Sequence, residues 1–151
     1  MKPLHIAAAF LAIALLAPSA ARAVPVMETL TETQVGIDGT ALSTSPTTSI
    51  IAMGGQTFKS ELLFQMFVTP GDSTTVTVTC EEGWSRTLFT TIAFRPEASP
   101  ATMVQDSEVY TVDGSITNWS IHIVPRAPFV RCTFTGAGTA TLIVRGVLNR
   151  V

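Results

Sequence analysis

The chain has 151 residues, with 9 Lys and Arg against 11 Asp and Glu, and 46% of it is hydrophobic. Only 13% is charged, which excludes a disordered acidic tail, and the length suits one hydrophobic core better than two. The few basic residues form no run, so nothing offers a grip on a phosphate backbone and no nucleic-acid partner is expected.

The first element is a leader. Lys2 precedes an apolar run at 6–16, Pro18 breaks it, and Ala21-Arg22-Ala23 presents small residues where a signal peptidase needs them. The run is short of the ~20 residues that span hydrocarbon, so residues 1–23 are read as a secretory signal peptide cleaved after Ala23. Residues 24–151 are then a single exported domain, periplasmic or extracellular, with no later run long enough for a membrane span. Losing Lys2 and Arg22 leaves that domain with 7 basic and 11 acidic groups, a net charge of −4.

The mature part holds 23 threonines, and β-branched residues fit pleated sheet better than helix. Residues 29–37 form a weak strand candidate, and the polar stretch 43–48 connects it to a strand at 48–53. Gly54-Gly55 ends that run. Residues 61–68 read as a strand, closed by Pro70-Gly71-Asp72. Residues 74–80 alternate strictly, with Val76, Val78 and Cys80 on one side and threonines on the other. Glu81-Glu82-Gly83 reads as a solvated turn before a strand at 85–94.

Residues 95–106, with two prolines, form the longest loop. A strand at 108–112 follows, and Asp113-Gly114 suits a tight hairpin into the alternating run 118–123. The turn 125–128 leads to a strand at 128–135. Gly136-Ala137-Gly138 predicts a second hairpin, into a last strand at 139–147. With no amphipathic helix, these runs describe an all-β fold: a single antiparallel β-sandwich, jelly-roll or immunoglobulin-like, of about 7–9 short strands.

Cys80 and Cys132 are the only cysteines. In an exported chain an isolated pair is expected as a disulfide, and both residues lie on apolar strand faces. There is no CxxC, and His122 is the one histidine beyond the leader, so no metal site and no cofactor are predicted. His122 lies mid-strand without a glycine-flanked serine elbow, and Glu81 and Glu82 point to opposite faces, so no catalytic residues are assigned. Asn118-Trp119-Ser120 matches a glycosylation acceptor pattern.

The aromatics carry the one binding signal. Trp84, Tyr110, Trp119 and Phe129 would form a stacking platform for sugar rings if they faced outward. The competing reading is core packing, since Trp119 shares a strand face with Ile121 and Ile123, and Trp84 with Leu88, Ile92 and Phe94.

The run Val76-Thr77-Val78-Thr79-Cys80, followed by a turn, resembles the strand around the first cysteine of secreted pilus and spore-coat-type subunits. The resemblance is confined to that strand. The late Cys132 and the missing polymerisation strand at the C-terminus depart from it. The expectation is a non-catalytic structural or surface protein of an extracellular assembly, appendage or coat, whose partners are further copies or other surface proteins. In it, residues 24–37 are the segment available to extend a neighbour's sheet edge. The alternative is a secreted carbohydrate- or ligand-binding module using exposed aromatics and the 95–106 loop.

Overall fold

The computed structural model describes residues 26–54, 60–69, 71, 75–96, 107–112 and 117–150. The leader, the Asp113-Gly114 hairpin, Gly55 and most of the 70–72 turn and of the 95–106 loop lie outside the described residues. The strands are β1 (Val26–Leu30), β2 (Thr40–Ala41), β3 (Ile51–Ala52), β4 (Glu61–Thr69), β5 (Thr75–Gly83), β6 (Thr90–Thr91), β7 (Arg95–Pro96), β8 (Glu108–Thr111), β9 (Thr117–Ile123), β10 (Phe129–Gly136) and β11 (Thr141–Arg150). They exceed the expected seven to nine because four of them are two-residue pieces that patch the edges of longer strands.

Two antiparallel sheets pack face to face. The six-stranded sheet runs β1-β11-β4-β9-β7, with β2 also on β11; the five-stranded sheet runs β3-β10-β5-β6, with β8 also on β5. Alternation places the core. Leu62, Phe64, Met66 and Val68 of β4 and Leu142, Val144 and Leu148 of β11 face Val76, Val78 and Cys80 of β5 and Val130, Cys132 and Phe134 of β10, all buried. One position in this core requires glycine. A Cβ on Gly146 would lie 2.8 Å from Leu30 Cδ1 and 3.1 Å from the Phe64 ring. Leu30 of β1 therefore seats over the bare backbone of β11, in register with Gly146.

Cys80 and Cys132 form the expected disulfide. They are direct cross-strand neighbours in one sheet, Cα atoms 4.1 Å apart. Their main-chain groups point away from each other. The Cys80 carbonyl accepts from Ile92 N–H at 3.0 Å, while Cys132 N–H donates to Thr48 Oγ1 at 3.0 Å and its carbonyl accepts from Thr48 N–H at 2.9 Å. The bridge thus occupies a non-hydrogen-bonded pair, where opposed side chains stand closest.

Three local expectations are corrected. The segment 29–37 is not one strand: β1 ends at Leu30, and helix α1 (Glu32–Val35) follows. Thr31 Oγ1 accepts from Gln34 N–H, Gln34 Oε1 accepts from Thr31 N–H, and Gly36 closes the turn at φ 79°, so a capping box overrides the β-branched composition. The strand at 85–94 is instead a loop followed by β6 in one sheet and β7 in the other. The chain crosses between layers there, with Ile92 and Phe94 buried.

The Gly136–Gly138 turn is likewise an arch between sheets and not a hairpin. β10 is already flanked by β5 on one edge and by β3 and Thr47 on the other, so it has no edge left for β11. Gly138, at φ 78°, supplies the left-handed residue of that arch. Of residues 24–37, expected as the segment for a neighbour's sheet edge, Val26–Leu30 pairs with β11 of its own sheet.

Two outcomes follow. Replacing both cysteines by serine is expected to lower unfolding free energy by about 4 kcal/mol, from loop closure over a sequence separation of 52 residues, as read by urea titration. Gly146→Ala is expected to cost about 1–3 kcal/mol in the same titration, because the added methyl would press on the buried Leu30 and Phe64 side chains.

Candidate functional site

The disulfide-centred register of β5 and β10 builds a surface site at one end of the five-stranded sheet. β5 does not stop in a solvated turn at Glu81, as expected, but continues to Gly83 opposite Phe129. Glu81 lies outward across from Arg131 and pairs with it at 2.7 Å. Glu82 is turned the other way, and its Oε2 accepts from Arg126 N–H at 2.6 Å and from Ala127 N–H at 3.0 Å. One carboxylate thereby holds the 125–128 turn, which precedes β10.

Beyond Gly83 the chain folds back over the sheet. A Cβ on Gly83 would meet the Leu88 carbonyl oxygen at 2.5 Å and the Ser85 carbonyl oxygen at 2.8 Å, so the return is possible only across a bare backbone. Ser85 Oγ accepts from Leu88 N–H at 3.2 Å and from Thr87 N–H at 3.4 Å, closing the loop internally. Two cation–π contacts clamp it to β10: the Arg86 guanidinium stands 5.2 Å from the Phe129 ring centre, and that of Arg131 4.2 Å from the Phe89 ring centre.

This arrangement leaves two large apolar side chains in solvent. Trp84 is 73% exposed and Leu88 76%, and with Phe89 they line an open hollow of about 350 Å³. Their expected partnership with Ile92 and Phe94 in the core fails, because the loop ends before the chain turns inward. The sequence-predicted aromatics are split accordingly. Trp84 and Phe129 both lie at this end of the sandwich, Trp84 following Gly83, the register partner of Phe129. Tyr110 is buried and stacks on half-buried Trp119, ring centres 4.9 Å apart, inside the core. Those two cannot form an outward platform, and the four residues are not one site.

A larger hollow, of about 560 Å³, lies on the outer face of the six-stranded sheet, where Leu63, Val147 and Met27 meet Arg95, Glu61 and His122. His122 faces outward as expected, with Nε2 3.4 Å from Glu61 Oε2. Ser120 lies on the same face of β9. It has no sharp turn to present it, and β9 is paired by β4 along its length and by β7 at Ile121 and His122, which commits the main chain to ladders where an oxyanion would need donors. Among the described residues no three His, Cys, Asp or Glu side chains gather as a metal site.

Sequence reasoning missed Leu88, Arg86 and Phe89 as members of the surface site because it placed them in a strand. The readable signals were Gly83 and the serine two positions on. Comparison with protein-family models, with curated proteins and with solved structures finds no match to the chain.

Glu82→Ala should leave the Arg126 and Ala127 N–H groups without their acceptor. The expected cost is about 1–3 kcal/mol, with faster hydrogen exchange at those two amides, while Glu82→Gln retains most of the protection.

Proposed function

We propose that the chain is an exported, non-catalytic surface protein: a disulfide-stapled β-sandwich that works by docking, through its 84–89 loop, onto a component of the cell surface or an extracellular assembly. The observation that carries this reading is the rigid display of Trp84 and Leu88. A folded chain gains by burying such side chains, and here a close-packed glycine, a serine-closed loop and two cation–π clamps hold them in water. Preorganised aromatic and aliphatic anchors bind with little ordering cost.

Export is supported by the order of charge, apolar run and small residues at the N-terminus, and a disulfide is consistent with an oxidising compartment. Among the described residues no helix is long and apolar enough to cross a membrane. A second reading, a carbohydrate-binding module, has the exposed Trp84 indole in its favour. A glycan array with wild type and Trp84→Ala separates the two, since a sugar site gives defined hits that the substitution removes.

Mature protein is expected to be retained by cell envelope prepared from its source. Trp84→Ala with Leu88→Ser should lower that retention about thirtyfold or more, as for truncated interface anchors, without changing the unfolding midpoint. Retention indifferent to the double substitution would reject the docking role.

A further inference from the structure

Resting on that docking role, we infer that the surface the 84–89 loop engages is an anionic phospholipid bilayer, with Trp84 and Leu88 entering the interface and Arg86 meeting the headgroup phosphates. The first argument is size. A stable protein–protein interface buries about 800 Å² on each partner and needs a complementary surface. The loop offers two protruding apolar side chains and a shallow hollow, which is little for a protein partner. A bilayer demands no shape complementarity, and a few inserted side chains add directly to partitioning.

The second argument is side-chain type. The indole ring combines an apolar body with a polar N–H and prefers the headgroup level, while a leucine beside it reaches the acyl boundary. Leu88, as exposed as Trp84, adds an aliphatic anchor that stacking against a sugar ring would not use.

The third argument is charge. Glu81 is neutralised by Arg131, and the Glu82 carboxylate is turned onto the Arg126 and Ala127 N–H groups. Arg86 stays exposed against Phe129 and makes no ion pair among the described residues. The end of the molecule that carries the apolar anchors therefore presents the Arg86 cation outward, on a chain whose formal net charge is −2. An anionic surface attracts this end and repels the rest, which orients the domain. Apolar insertion and basic attraction are the two signals that together make reversible membrane attachment stable.

The test is cosedimentation of mature protein with vesicles of phosphatidylcholine alone and of phosphatidylcholine with phosphatidylglycerol. Binding is expected only to the anionic vesicles and should fall as salt is raised. Trp84→Ala and Leu88→Ser should each weaken it about tenfold or more, and Arg86→Gln about fivefold, with Arg86→Lys restoring most of the loss. Brominated lipid should quench the fluorescence of wild type and not that of Trp84→Ala, in which Trp119 alone remains. No vesicle binding, equal binding to both compositions, or anionic binding untouched by the Trp84 and Leu88 substitutions would overturn the lipid assignment. If envelope retention depends on Trp84 and Leu88 while vesicles of the envelope's own extracted lipid bind nothing, the partner is a protein and the docking role stands. Failure of both assays removes both.

Discussion

The structure depends on the register between β5 and β10. Cys80 opposite Cys132 places Val76, Val78, Val130 and Phe134 on the core side and sends the intervening threonines outward. A slip by one residue would expose every one of those apolar side chains and separate the sulfurs, so hydrophobic burial and the covalent bond enforce the same alignment. That alignment also sets what happens at the far end of the two strands. Glu81 meets Arg131, Gly83 meets Phe129, and the chain that leaves Gly83 finds two rings and two guanidinium groups in position to hold it.

The site is therefore an extension of sheet geometry and not an ornament on it. Arg131 and Phe129 are successive outward residues of β10, and the loop contributes Phe89 and Arg86 to them in the opposite chemical order. Each pair combines a cation with an aromatic face, so both contacts survive at the surface where a purely apolar clamp would still need covering. Trp84 and Leu88 have no counterpart on the sheet. The proposed docking role rests on this feature: a loop held by internal contacts that leaves its largest apolar groups in solvent has little ordering left to lose.

Much of the fold was legible in the residues. The strict alternation around Val76 and Trp119, the turn residues between runs and the isolated cysteine pair led to two antiparallel layers with one cross-link, because period-two burial is a local property of the chain. The capping box Thr31-x-x-Gln34 with Gly36 behind it is equally local, but the strand reading of 29–37 does not take it into account. Of the site, Trp84 and Phe129 were visible as aromatics. Tyr110 and Trp119 carried the same chemical signal and went to the core, since composition does not say which side of a strand is covered.

Compartment-type chemistry, strand periodicity and the identity of the bridged cysteines come from local pattern, and local pattern is all that a linear chain displays. Which strands are neighbours is another matter. The arch at Gly138 and the crossing at Ile92–Phe94 look like a hairpin and a strand until the edges of β10 are seen to be occupied, and that occupancy involves residues far away along the chain. The exposed pair Trp84 and Leu88 belongs to the same class. Their exposure follows from Gly83 touching the Leu88 carbonyl and from β10 holding the loop outward, contacts that exist only once both sheets have closed.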